Sequence, residues 1–311
     1  MLNVPDRPSW RYGNAEAEVL EFHLSMLVDE QRMRSFQDAI AATVRPGDVV
    51  VDIGTGTGIL SFLACRAGAS RVYSAERGPV VELARELSEA NGFGDRIVFL
   101  PDWSTAIEIP EPADVVVTET IGNAAIDEGI IAWTLDARRR LLRPGGRIVP
   151  GRIELWAAAV ESWDDYAQVA DWSAPALPVD YSIARARAEQ TLWSAELAAD
   201  DLLTAPTLVA DVDLHLVQEP GAVEGAGRLR VRRDGVLHGI ACWFRSELAP
   251  GIMLTNAPPT PAPSWGQGFL AVPRPLDVKA GDILAWDLRV GANGADWAWS
   301  IAPADDCSPS S

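Results

Sequence analysis

The segment Val49-Val50-Val51-Asp52-Ile53-Gly54-Thr55-Gly56-Thr57-Gly58 constrains this chain more than any other. A short apolar run suits a strand buried on both faces of a parallel sheet. The run passes through an acidic residue, Asp52, and feeds a turn whose glycines let the main chain approach a ligand. Ile59 to Ala67 reads as a helix, so the turn opens onto a helix N-terminus with its outward-facing N–H groups. Glu76 ends the next strand, Arg71 to Glu76, where a carboxylate can accept both hydroxyls of a ribose. A dinucleotide fingerprint runs G-x-G-x-x-G, but here the third glycine comes one residue earlier and Ile59 follows. The compact spacing suits an adenosyl amino acid better than a pyrophosphate.

The surrounding elements alternate. Val19, Leu20, Leu24, Leu27 and Met33 recur at helical spacing, so residues 16–45 read as one helix that Pro46-Gly47 stops. Further helices are expected from Pro79 to Asn91-Gly92 and from Ile126 to Leu142, the latter ended by Pro144-Gly145-Gly146. Ile97–Leu100 and Val115–Thr118 read as buried strands, which gives an open α/β sheet of Rossmann type. After Pro150 the period falls to two. Leu208, Val212, Leu214 and Leu216 alternate with Asp211, Asp213 and His215, as in a half-buried antiparallel strand. Asp234-Gly235 between two apolar runs reads as a hairpin turn, and Ile283–Val290 alternates as well. The second half is therefore read as a β-sandwich or barrel, interrupted at about 162–204 by an insert carrying Trp163, Tyr166, Trp172, Tyr181 and Trp193. The expected divisions are N-terminal helices over 1–45, a cofactor domain over 46–149, a β domain over 150–303 and a disordered tail over 304–311.

A formal net charge of −18 argues against a nucleic-acid partner, whose phosphates need a basic patch, and is compatible with a cationic substrate. No apolar run is long enough to span a membrane, and the first ten residues have no signal-peptide core, so a cytoplasmic location is expected. Cys65, Cys242 and Cys307 are scattered, as are the histidines, and no metal site is expected.

Several motifs together resemble the protein arginine methyltransferase family. Met26-Leu27-Val28-Asp29-Glu30-Gln31-Arg32 is similar to its entry helix, and Val51 to Ala69 to its first motif. Glu119 and Glu128 resemble its double-glutamate loop, and Leu142 to Pro150 the exit from its sheet. Ser264-Trp265-Gly266-Gln267 is similar to the barrel loop that returns to the active site, and the 162–204 insert falls where the family has its dimerisation arm. The resemblance implies a Rossmann-type domain that binds S-adenosylmethionine (SAM), followed by an antiparallel β-barrel with an inserted arm. It implies methylation of a guanidino nitrogen of arginine, in a protein, a peptide or a small metabolite, with S-adenosylhomocysteine as product and no metal. The assembly it implies is a homodimer.

Residue roles carry over by motif position. Glu119 and Glu128 would hold the substrate guanidinium bidentately and localise electron density on one terminal nitrogen. Asp29, Ser264 and Trp265 would complete the catalytic group. His23, Met26, Arg32, Asp52, Gly54, Gly56, Gly58, Glu76, Ser104 and Thr105 would hold the cofactor, with Arg32 on its carboxylate and Thr105, beside Ser104, at the adenine edge. The chain departs from the pattern in three places: one tyrosine at best, Tyr12, in a stretch where the family has two; Thr120, Ile121 and Asn123 after the first glutamate; and Ser264 in place of a histidine. Product type stays open, and so do two other readings: a methyltransferase with a different nucleophile, and a catalytically silent SAM-binding scaffold.

Overall fold

A computed structural model describes residues 15–173, 179–258 and 264–304. Tyr12, Cys307 and nearly all of the 304–311 tail lie outside them. The chain begins with helices α1 (Ala15–Leu27) and α2 (Glu30–Thr43). The parallel half then runs β1 (Val49–Ile53), α3 (Ile59–Ala67), β2 (Arg71–Ala75), α4 (Val80–Ala90), β3 (Ile97–Leu100), β4 (Ala113–Thr118), α5 (Ile130–Arg140) and β5 (Leu142–Val149). Its five strands lie in the order β3-β2-β1-β4-β5. Alternate residues of β1 face opposite layers: Val50 packs with Phe36 and Leu60, while Val49, Val51 and Ile53 pack with Tyr73, Val116 and Leu141. Both faces are therefore covered, as continuous apolar strands require.

From Arg152 onwards the sheets are antiparallel. The elements are β6 (Arg152–Val160), α6 (Trp163–Ala170), α7 (Ser182–Ala188), β7 (Trp193–Ala195), β8 (Thr207–Asp213), β9 (Val223–Arg230), β10 (Gly235–Ala249), β11 (Ile252–Thr255), β12 (Gln267–Val278), β13 (Ile283–Val290) and β14 (Trp297–Pro303). One sheet runs β7-β12-β10-β6-β8 with β11 beside β10, and the other runs β14-β13-β9. The two approach at their edges, where Trp299 Nε1 of β14 donates to the Ala271 carbonyl of β12 at 2.9 Å. Among the described residues no helix is long and apolar enough to cross a membrane.

Several local expectations give way to tertiary structure. The single helix over 16–45 is two helices, because Asp29 leaves the helical conformation and its carboxylate caps the Arg32 N–H at 3.0 Å. The expected core face of the first helix, with Leu20, Leu24 and Leu27, is exposed. The helix expected from Ile126 starts only at Ile130, because Ala125 and Gly129 both take positive φ and fold the preceding loop back on itself. Asp234-Gly235 joins no hairpin: β9 pairs with β13, and β10 pairs with β6 and β12. The Asp234 carboxylate instead accepts the Ala280 N–H at 2.9 Å and the Lys279 ammonium at 3.2 Å. The strand expected from the alternation between Leu208 and Leu216 stops at Asp213, and a register shift opposite Leu155 and Trp156 turns Leu208 to solvent.

One buried residue joins the two halves. Asn256 is fully buried; its Oδ1 accepts the Phe244 N–H of β10 at 2.8 Å, and its Nδ2 donates to the carbonyls of Asn123 and Gly266 at 2.8 and 2.7 Å. Gln267 Nε2 donates to the Asn256 carbonyl at 2.6 Å. The loop after β4 is thus tied to the barrel by bonds that water cannot replace. Asn256→Ala strands several buried polar groups and is expected to cost about 2–4 kcal/mol, read as a lower urea midpoint with an unchanged slope.

Candidate active site

The C-terminal ends of β1, β2 and β4 open into a cleft, the place where open parallel sheets bind ligands. Its inner part is a cavity of about 390 Å³ bounded by α1, the 54–57 turn, the loop after β4 and the Ser264-Trp265 segment. An outer part of about 600 Å³ continues past Glu76 towards Trp103.

The turn is held by its own strand neighbours. The N–H groups of Gly54 and Thr55 both donate to the Ala75 carbonyl, at 3.0 and 3.1 Å. Glu76 Oε2 accepts the Gly56 N–H at 3.0 Å and Oε1 accepts the Gly78 N–H at 2.6 Å. Gly56 has φ +55, and a Cβ there would stand 2.9 Å from His23 Cε1. Burial lowers the His23 pKa, with Glu76 opposing and Arg32 adding to the shift. Gly58 faces Phe62 rather than the cleft, and serves α3 as its left-handed cap. Asp52 also lies behind the wall, where Oδ2 accepts the Ser61 hydroxyl at 2.6 Å and Oδ1 has no partner. Ser104 borders the cleft, whereas Thr105 is exposed and outside its lining.

Glu119 and Glu128 enter the same cleft from the two ends of one folded-back loop. Glu119 follows Thr118, whose hydroxyl donates to the Ile53 carbonyl at 2.9 Å. At the other end, the Glu128 carbonyl accepts Trp133 Nε1 at 2.8 Å. Burial raises the Glu128 pKa, Asp127 raises it further, and Arg32 opposes both. Asp127 was not singled out from the sequence; its Oδ1 accepts the Ala124 N–H at 2.9 Å and keeps the loop folded.

Arg32 lies between these groups. Its guanidinium pairs with Glu119, donates to Met26 Sδ at 3.1 Å and Ser264 Oγ at 3.3 Å, and sits 4.1 Å from the centre of the Trp265 ring. Burial pulls its pKa down to about 10, against the raising effect of Asp29 and Glu128. Ser264 donates onward to Asp29 Oδ2 at 2.6 Å, and Trp265 Nε1 donates to the Ile121 carbonyl at 3.0 Å. Asp29, Arg32, Glu119, Ser264 and Trp265 therefore form one connected group.

The residues fit SAM. The positive φ of Gly54 and Gly56 keeps a side chain off the turn, and Glu76 borders both parts of the cleft where a ribose would sit. Glu119, Glu128 and Arg32 line the same cavity as the turn, and Arg32 is the cation that could meet the cofactor's carboxylate.

Residues 152–297 match the family described as the arginine methyltransferase oligomerization subdomain, and residues 36–162 match ribosomal protein L11 methyltransferase. An arginine N(omega)-methyltransferase of Streptomyces achromogenes subsp. streptozoticus is 32% identical, over 89% of this chain and 77% of that protein. The chain belongs to the arginine N-methyltransferase family. A further member of this family, protein arginine N-methyltransferase 6 of Xenopus laevis, is 28% identical over 87% of this chain and 84% of its own. The methyltransferase fold is shared with the Trypanosoma brucei PRMT1 enzyme–prozyme heterotetrameric complex with AdoHcy (TM-score 0.79, 24% identity, 91% and 93% coverage). It is shared too with Arabidopsis thaliana protein arginine methyltransferase 10 (TM-score 0.74, 23% identity, 91% and 98% coverage).

The buried Asp52 carries a stability signature. Loss of solvation raises its pKa from 3.8 to about 6, with the Ser61 hydrogen bond opposing. A carboxyl whose folded pKa is raised contributes stability that is complete below the unfolded value and is lost as pH rises through the folded one. The contribution, about 3 kcal/mol, should disappear between about pH 4 and pH 7. Asp52→Asn is expected to flatten that stretch of the stability profile, measured by urea unfolding at a series of pH values.

Proposed function

We propose that this enzyme transfers the methyl group of SAM to a guanidino nitrogen of arginine, and that Glu119 and Glu128 carry the reaction. The observation that carries this reading is Arg32, a guanidinium paired with Glu119 and lying against Trp265 inside the cleft. The pocket thus already accommodates the chemical group expected of its substrate. The names of the relatives support the same substrate class.

Methyl transfer is an in-line displacement, so the protein mainly positions the nitrogen and the methyl carbon. SAM supplies the electrophilic methyl. The two glutamates grip the substrate cation and bias its delocalised lone pair towards one nitrogen. The nitrogen becomes acidic as the bond forms, and a neighbouring carboxylate can take the proton late. Ser264 links Arg32 to Asp29 and serves as a positioning group rather than a base.

The second half of this reading is a cytoplasmic homodimer. Trp172, Tyr181 and Ile183 of the insert are exposed, as are Leu20, Leu24 and Val28 at the end of the chain that would receive it. Two apolar surfaces of this kind suit an interface between copies. Tyr166 of the same insert is instead buried in its own subunit, where its hydroxyl donates to the Pro273 carbonyl at 3.3 Å. Ile183→Glu should shift the dimer towards monomer by light scattering; a parent that is monomeric at micromolar concentration contradicts the dimer.

The chemistry is tested by mass spectrometry of reactions with SAM and a panel of arginine peptides, proteins and free arginine. On the substrate so found, Glu119→Gln or Glu128→Gln should lower the rate by about two to three orders of magnitude. The ionised form of Glu128 holds the substrate, and its pKa is raised. Activity should therefore fall on acidification at a higher pH than an ordinary glutamate would give, and Glu128→Gln should remove that limb. Near-full activity of Glu128→Gln would sink the guanidine reading.

A further inference from the structure

The segment that carries Glu128 is pressed from behind by a turn of the smaller sheet. Residues 291–296 join β13 to β14, beyond the pair Val290 and Trp297. The turn is braced by its own bonds. The Gly291 N–H donates to the Asp296 carbonyl at 2.7 Å, and the Gly294 N–H to the Gly291 carbonyl at 2.9 Å. The Asn293 side chain accepts the Ala295 N–H at 3.0 Å and donates to Asp296 Oδ2 at 3.1 Å. Trp297 Nε1 donates back to the Gly294 carbonyl at 2.8 Å. Asn293, Ala295 and Asp296 are exposed, yet Gly294 between them is buried.

What covers Gly294 is the loop of the two glutamates. A Cβ on Gly294 would collide with the Ile126 carbonyl oxygen and stand 3.1 Å from the Gly129 nitrogen. Those two groups are bonded to each other at 3.0 Å, and Glu128 lies within the turn they close. A Cβ on Gly129 would in its turn stand 3.0 Å from Trp133 Nε1 and 3.4 Å from the Asn293 carbonyl. Residues 126–129 are therefore held between the Trp133 ring and the main chain of 293–294. An approach this close requires a residue without a side chain.

We propose that the β13–β14 turn is the back-stop that sets how far Glu128 reaches into the cleft, with Gly294 as its positioning residue. The inference rests on the catalytic reading of Glu128 given above. Gly294 meets main-chain atoms on either side of the acid and none of the reacting atoms. Glu119 is held separately, since Thr118 before it is bonded to the Ile53 carbonyl of the parallel sheet. A displacement at Gly294 thus changes the spacing of the two carboxylates instead of moving them together. A pair that grips one planar cation is sensitive to that change, because a misplacement of about 1 Å can cost about a hundredfold in rate. The glycine turn is held by Ala75 and Glu76, so cofactor binding does not depend on the back-stop.

The test compares Gly294→Ala, Asn293→Ala and Gly251→Ala with the parent, by calorimetric titration with SAM and by kinetics on the guanidine substrate that mass spectrometry identifies. Gly251, between β10 and β11, has φ +80 and open space about it, against φ +77 at Gly294. Gly251→Ala therefore reports the strain of a side chain at positive φ without the contact, and should keep the parent kcat. Gly294→Ala should bind SAM within about twofold of the parent and lose about ten- to a hundredfold in kcat. Asn293→Ala loosens the turn without adding an atom; it should lose about fivefold in kcat and melt at nearly the parent temperature. It decides the question if Gly294→Ala does not fold. Both turn variants are then combined with Glu128→Gln. A residue acting through Glu128 should add less than about twofold to the loss already caused by Glu128→Gln, whereas general damage multiplies with it. Turn variants no slower than Gly251→Ala, or losses that multiply with that of Glu128→Gln, overturn the back-stop and leave the catalytic reading standing. Parent-like activity of Glu128→Gln overturns that reading, and the proposal with it.

Discussion

A buried guanidinium sets the terms for this structure. Arg32 is almost inaccessible to water, yet it is charged, so folding must supply what water would have given. The supply comes from three separate stretches of chain: Glu119 after β4, Met26 in α1, and Ser264 with Trp265 from the loop before β12. No two of these are neighbours in sequence. The cation therefore converts an electrostatic requirement into a geometric one, because the helices, the parallel sheet and the barrel must meet at one point. Its Nε has no partner in the described residues, which leaves the group short of full satisfaction and sensitive to any incoming acceptor.

Asn256 does for the main chain what Arg32 does for charge. Its amide joins β10, the segment before β12 and the loop that carries both glutamates. The barrel is thus more than a support for the insert. It fixes the folded-back loop from behind, while Asp127 closes the loop from within. A site built this way gets its precision from a polar lattice at the joint between two layers, where each layer alone would leave buried groups unmatched.

The parts legible in the sequence were those whose signals are local. The glycine turn, the acidic residue at the end of β2 and the alternation in β13 each announce themselves within a few residues, and the paired glutamates do so by motif. The parts that were not legible depend on distant partners. Asp29 reads as one polar residue within an apolar helical pattern, and nothing nearby says that it will cap a new helix; its place beside Ser264 was legible only through the resemblance. Asp234-Gly235 has the chemistry of a hairpin turn, but the better pairing for β9 was β13, far along the chain. Asn256 carries no local signal, since its role comes entirely from the three strands of contact it makes. Trp103 and Trp133 read as ordinary apolar residues until the fold brings them together at the mouth of the cleft.

The carboxylate of Glu76 is built in before any ligand is bound. Each of its oxygens already holds a loop N–H, from Gly56 and from Gly78, before any ligand arrives. Each also keeps a spare lone pair. A ribose can therefore be received without dismantling the loop, and released without rebuilding it. The contacts that shape the glycine turn are thus made before the ribose arrives, and the turn keeps them when the ribose leaves.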